Sequence, residues 1–377
     1  MREDKPLFTP GPLTTSEGVK RAMLRDVGSR DSAFIDTIAR IRTGLLELAG
    51  VSQADGWEAV LMQGSGTFGI EAVISSALPA EGALLVARNG AYGARIAAIA
   101  AVHGIEVVDV AGPENRPCDP AEIERALAAS PHVTHVALVH CETTTGIFNP
   151  VAEVGAAARR HGARLILDSM SAFGSVELDL AACAVDFLVS SANKCIEGVP
   201  GFSFALARGD AIAESEGRAR TFSLDLFAQW RGLERDGQFR FTPPTHAILA
   251  FEQALAELAA EGGVAGRGER YHRNRDRLVE GMRALGFREY LPDALQGHVI
   301  TSFRYPEGDR FDFEEFYDRL NARGFVIYPG KVTDAECFRI GSIGRLFEAD
   351  VDGLLAAIEA VLGEMELDLR ATTEGVQ

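Results

Sequence analysis

The sequence is short of positive charge. It sets 37 Lys and Arg against 54 Asp and Glu, a formal net charge of −17 at pH 7. Phosphate backbones bind basic surfaces, so this balance argues against a nucleic-acid partner. A local cluster of donors can still hold a small anion, so anionic substrates stay open. Long hydrophobic runs are also missing. None approaches the ~18 residues of a membrane span, so no membrane partner is expected. The start, Met1-Arg2-Glu3-Asp4-Lys5-Pro6, has no apolar stretch of the kind a signal peptide needs. Cysteines are few. Cys118, Cys141, Cys183, Cys195 and Cys337 are odd in number, widely spaced and without a Cys-x-x-Cys pair. That pattern excludes a disulfide framework and reads as free thiols in a reducing cytoplasm. The eight histidines form no His-Glu-x-x-His pattern, and His132 and His135 stand at a strand entrance, so no metal site is expected.

What is present is ordinary globular material: 377 residues, 47% hydrophobic and 24% charged. At roughly 150 residues per domain this length predicts two domains. From about residue 57 short apolar runs alternate with helical patterns. Strands are expected at 58–62, 84–87, 106–110, 133–140, 164–168, 187–190 and 202–207. Helices are expected at 67–77, 92–103, 120–129 and 151–161, with Asp119 as an N-cap and Gly162 as a helix stop. Strands separated by helices imply crossovers and an α/β fold with a mainly parallel sheet, covered on both faces. After about residue 210 the texture changes. Long helices are expected at 247–260 and 268–285. Strands follow at 298–305, 325–328 and 338–340, with helices at 311–322 and 351–362, in a compact α+β unit.

Gly64-Ser65-Gly66-Thr67-Phe68-Gly69 follows a strand and opens a helix. It matches the G-x-G-x-x-G dinucleotide fingerprint, which also wants an acidic residue at the end of the next strand. That strand ends Ala87-Arg88-Asn89, without a carboxylate. A single phosphate fits the same turn, since free N–H groups and the helix dipole favour an anion there. A plain strand–helix turn is the third reading.

Asp168 ends one buried strand, and Lys194 lies just past the next. Parallel strands deliver their carboxyl ends to one edge, so an acid, an amine and the Gly-rich turn converge there. Pyridoxal phosphate chemistry needs these three: a lysine for the aldehyde, a carboxylate for the ring nitrogen and a helix N-terminus for the phosphate.

Several stretches resemble aminotransferase class V, a family of fold-type I pyridoxal-phosphate enzymes. They include Phe8–Ser16, Gln63–Thr67, Asn89–Gly93, His140–Gly146, Ser190-Ser-Ala-Asn-Lys-Cys195, Gly198–Phe202, Ser223–Leu226, Arg240–Thr242, Pro244–His246, Gly324-Phe-Val-Ile-Tyr-Pro-Gly-Lys331 and Phe338–Gly341. The resemblance runs over nearly the whole chain. It implies a large, mainly parallel α/β/α domain over 17–265, a small α+β domain from 1–16 and 266–369, and a disordered tail over 370–377. It implies pyridoxal 5'-phosphate as cofactor, held through a Schiff base on Lys194, with Asp168 on the ring nitrogen and Tyr92 stacked on the ring. Ser65, Gly66, Thr67 and Asn193 would bind the phosphate, Thr143 would reach the ring hydroxyl, and Arg339 would hold the substrate's anionic group. Thr242 would reach the phosphate of a neighbouring subunit, which implies a homodimer with shared sites. Within the class the chain resembles members that move the amino group of 2-aminoethylphosphonate to pyruvate, giving phosphonoacetaldehyde and L-alanine. Arg30 departs from that pattern, which commonly has tryptophan there. It is either a second anion contact that alters substrate choice or an ordinary surface residue. The alternative is another class V aminotransferase with an alanine or serine donor and glyoxylate or pyruvate as acceptor.

Overall fold

The computed structural model describes residues 4–308 and 310–370. Seven strands form the main sheet: β1 (Trp57–Gln63), β2 (Ala83–Arg88), β3 (Val107–Ala111), β4 (Val133–Val139), β7 (Arg164–Asp168), β8 (Val185–Ser191) and β9 (Phe202–Arg208). Two short strands, β5 (Cys141–Glu142) and β6 (Ile147–Phe148), pair with each other in the loop after β4. The main-sheet order is β1-β9-β8-β7-β4-β2-β3. All neighbours pair in parallel except β9, which runs against both β1 and β8. Six strands therefore point one way. The central strands β7 and β8 are buried apart from Arg164 and Asp186 at their entrances, as expected for a sheet covered by helices on both faces.

Helix boundaries fall within a few residues of the sequence reading, and Pro120–Ala129 matches it, capped by Asp119 Oδ1 accepting from Ala121 N at 2.9 Å. Four helices escaped it, one of them the short Gly209–Ala213 after β9. Glu17–Ala22 lies near the start, Ser32–Leu48 covers the β1 side, and Leu226–Asp236 packs beside β1 and ends at Gly237 with φ +72°. The antiparallel course of β9 is a second difference.

The smaller sheet is antiparallel, in the order β10-β12-β11, from β10 (Ile300–Arg304), β11 (Tyr328–Pro329) and β12 (Cys337–Gly341). The strand expected at 325–328 is shifted and shorter, because only Tyr328 and Pro329 pair with β12. Helices Gly263–Ala284, Phe313–Ala322 and Glu348–Glu364 enclose a second apolar core around Phe303, Phe316 and Phe338. The N-terminal segment threads into this unit: Phe8 N donates to Val326 O at 2.8 Å, and Phe8 O accepts from Gly341 N at 3.0 Å. Of the expected tail only Arg370 is described, bonded to Glu359; residues 371–377 lie outside the described residues. Among the described residues no helix is long and apolar enough to cross a membrane.

Candidate active site

Six strands end at one sheet edge, and a cavity of about 210 Å³ opens there, lined from the ends of five of them. The turn after β1 contributes Ser65, Gly66 and Thr67. Ser65 is the N-cap of helix Gly66–Ala77, yet its side chain makes no capping bond. Its hydroxyl and the first helical N–H groups thus remain for an anion. A Cβ at position 66 would meet the end of the Met170 side chain, so a larger residue there would have to push that thioether aside.

Tyr92 enters from the helix after β2, and Thr143 from the loop after β4. Asp168 is the last residue of β7; its Oδ1 accepts from Met170 N at 3.1 Å. Burial pushes its carboxyl pKa up to about 6. Lys194 and Asn193 follow β8. Lys194 Nζ donates to Pro10 O at 2.5 Å, and burial draws its pKa down against the opposing pull of Tyr92, Cys195 and Asp168. A buried amine with a lowered pKa is easier to deprotonate, hence a better nucleophile and base.

Arg339 comes from β12 and is buried. Its Nε donates to Pro329 O at 2.9 Å and its Nη1 to Thr143 O at 2.8 Å, while the nearby Tyr92 phenol interacts electrostatically with its guanidinium. Burial raises the pKa of that phenol. Thr143 donating to it, with the charges of Lys194, Lys331 and Arg339, outweighs burial and leaves it lowered. The structure thus brings Ser65, Gly66, Thr67, Tyr92, Thr143, Asp168, Asn193 and Lys194 around one cavity, with Arg339 just behind Tyr92. It does not bring Thr242 or Arg30 there. Both are exposed, Thr242 O accepting from Gln63 Nε2 at 3.1 Å and Arg30 on the turn ahead of Ser32–Leu48.

Four features of the site went unread in the sequence. Glu142 is fully buried, and its Oε2 accepts from Tyr92 N at 3.1 Å. Its other oxygen accepts from Thr144 N at 3.1 Å and Thr144 Oγ1 at 2.7 Å. The helix that carries Tyr92 starts after Gly90, which has no capping side chain, so this remote carboxylate does the capping and fixes Tyr92. Arg95, one turn beyond Tyr92, lines the cavity and donates to Thr67 Oγ1 at 3.3 Å. Glu197 anchors the lysine loop, accepting from Tyr271 OH at 2.6 Å and Arg270 Nη2 at 2.7 Å.

The fourth is the roof over Lys194, formed by Pro10 and Gly11. Gly11 has φ +124°, and a Cβ there would sit 2.7 Å from Lys194 Nζ. Gly11→Ala should therefore displace the amine. A shift near 1 Å can cost about 10²-fold in rate. The expected result is a kcat drop of about that size, with a loss of melting temperature too small to account for it.

An α/β sheet whose carboxyl edge joins a helix N-terminus, a buried carboxylate and a buried lysine defines a fold-type I pyridoxal-phosphate enzyme. Residues 15–331 match the family model of aminotransferase class-V. The chain is 51% identical over 356 residues to the 2-aminoethylphosphonate–pyruvate transaminase of Klebsiella pneumoniae, covering 94% of this chain and 96% of that one. It is 50% identical to the protein of the same name from Vibrio vulnificus, covering 96% and 99%. Among solved structures, the alanine–glyoxylate aminotransferase of Nostoc sp. superposes with a TM-score of 0.89 at 26% identity, covering 96% of each chain. The chain belongs to the class-V aminotransferase family.

Class-V aminotransferases use pyridoxal phosphate. The residues present fit it. The uncommitted Ser65 hydroxyl, Gly66 at the helix start, a buried acid with one hydrogen-bond donor and a buried amine all face one cavity.

Proposed function

We propose that this chain transfers the amino group of 2-aminoethylphosphonate to pyruvate, giving phosphonoacetaldehyde and L-alanine. The observation that carries the reading is its 51% identity, over 94% of its length, to a transaminase named for those substrates. Pyridoxal phosphate supplies the aldehyde that amines attack and a ring that takes up electron density. In this reading Ser65, Gly66, Thr67 and Asn193 hold the phosphate, with Arg95 adding charge. Asp168 would keep the ring nitrogen protonated, Tyr92 would lie against the ring, and Thr143 would reach the ring hydroxyl. Lys194 Nζ would be the amine that holds the aldehyde. Once displaced by substrate, it takes the proton from the amine-bearing carbon. Arg339 binds the anionic end of each substrate in turn. Because donor and acceptor use one site successively, the kinetics are ping-pong.

The active unit in this proposal is a homodimer in which Thr242 reaches the partner's phosphate site. Its support is the surface around it. Phe222 and Phe241 are 79% and 39% exposed, their rings 5.8 Å apart, with Arg240 over both. Arg30, outside its own protomer's cavity, would meet a substrate anion only across such an interface. The large domain (17–265) would carry the cofactor, and the small one (1–16 and 266–369) Arg339. Five buried free thiols support a reducing cytoplasm as the working compartment.

The test is an absorbance spectrum of the holoenzyme with 2-aminoethylphosphonate alone. The band of the lysine-bound cofactor should convert to that of the amine form, and pyruvate should restore it. Persistence with this amine, with conversion by L-alanine or L-serine, would overturn the donor assignment and keep the aminotransferase.

A further inference from the structure

The chain contains only four lysines: Lys5, Lys20, Lys194 and Lys331. Lys5 and Lys20 bond Asn321 and Asp4 at the surface. The other two converge on Tyr92, and the reading above leaves Lys331 without a task. Lys331 stands two residues past β11, whose Tyr328 pairs with Arg339 on β12. Its Nζ lies 4.6 Å from the centre of the Tyr92 ring. Among the described residues it makes no hydrogen bond or ion pair. The two acids that line the same cleft are engaged elsewhere. Glu114 Oε2 accepts from Thr333 N at 2.7 Å and Thr333 Oγ1 at 3.1 Å, and Asp334 Oδ1 from Tyr290 OH at 2.7 Å. The Glu114–Thr333 bonds also tie the Lys331 loop to the large sheet unit, and Lys331 lines the cleft that adjoins the cavity on the Tyr92 side.

Lys331 is half-buried, its ammonium faces the Tyr92 ring that Arg339 also approaches, and no carboxylate among the described residues is within ion-pair distance of it. Arg339 alone suits a carboxylate. Two of its three nitrogens already donate to carbonyls, and it brings one positive charge. A phosphonate carries three oxygens and up to two negative charges. We propose that Lys331 is the second cation of the substrate-anion site and sets its preference for a phosphonate dianion over a carboxylate. This rests on the functional reading above. A compact ammonium with three donors suits the third oxygen, whereas the planar guanidinium forks onto the other two.

The experiment uses the holoenzyme and two inert probes, ethylphosphonate and propionate, at a pH where the phosphonate is doubly ionised. Calorimetric binding is compared for the parent, Lys331→Met and Lys331→Arg. A charge-assisted hydrogen bond lost from a partly desolvated site corresponds to about 10- to 100-fold. Lys331→Met should weaken ethylphosphonate by that factor, and by at least tenfold more than propionate, while Lys331→Arg restores most of the difference. The ratio of kcat/KM for 2-aminoethylphosphonate to that for pyruvate should fall in parallel. Equal losses for both probes, or none for either, would overturn the assignment. Failure of the parent to turn over 2-aminoethylphosphonate would overturn the functional reading itself, a result the probe comparison cannot produce.

Discussion

Lys194→Ala should abolish turnover. The amine it removes would do two jobs, holding the cofactor aldehyde and moving the substrate proton. Proton transfer by a positioned base contributes about 10²–10⁴-fold, and losing the covalent holder adds to this. A kcat loss of at least ~10⁴ is expected. The fold should survive, because Lys194 makes one hydrogen bond, to Pro10 O, and the lysine loop is anchored by Glu197 and Arg267. Borohydride reduction followed by peptide mapping gives the independent readout. In the parent the cofactor mass should appear on the peptide containing Lys194, and in the variant on none. Near-normal turnover by a correctly folded Lys194→Ala protein would sink the assignment of this lysine.

The parallel part of the sheet could be read from sequence because each buried strand is a short apolar run bounded by helical periodicity. The reversed β9 could not be read from periodicity, since a strand buried on both faces shows no direction. The spacing did hold a signal. Ten residues separate Ser191 from Phe202, and a parallel crossover usually needs a dozen or more. The Ser32–Leu48 helix was also readable. Asp31 caps it, and the buried Phe34, Ile38, Ile41 and Leu45 follow helical spacing. Leu226–Asp236 carries the same punctuation, Asp225 before it and Gly237 after it.

At the site, what could be read was what sits next to a strand end. Asp168 and Lys194 follow directly from strand position. The supports could not be read, because they act across long sequence separations: Glu142 on Tyr92 across 50 residues, and Pro10 on Lys194 across 184. Folding alone makes those pairs neighbours. Glu142 illustrates the difficulty. A glutamate in a loop reads as solvated, yet four donors compensate its burial here, and its pKa is still raised by desolvation.

Asp168→Asn should separate stability from function. Burial raises the Asp168 pKa to about 6 in the cofactor-free chain, so the folded state binds a proton more tightly there than the unfolded state does. Stability from this group is full below about pH 4, the unfolded value, and is lost as pH rises through about 6. Above that pH the ionised carboxylate costs the apoprotein about 3 kcal/mol. Asparagine keeps an oxygen to accept from Met170 N and carries no charge. The cofactor-free variant should therefore be more stable than the parent at pH 7.5, by up to that amount, with the advantage shrinking to nothing near pH 4. Urea titrations at pH 7.5 and 4.5 would measure it. With cofactor bound the order should reverse, because the amide cannot supply the charge that keeps the ring nitrogen protonated. Loss of such an electrostatic partner lowers kcat by about 10²–10³-fold. A variant whose stability gain is the same at both pH values would detach the effect from ionisation. A variant that turns over normally would remove Asp168 from the chemistry. Stability surrendered at neutral pH and recovered as rate is what a charge kept for its cofactor should look like.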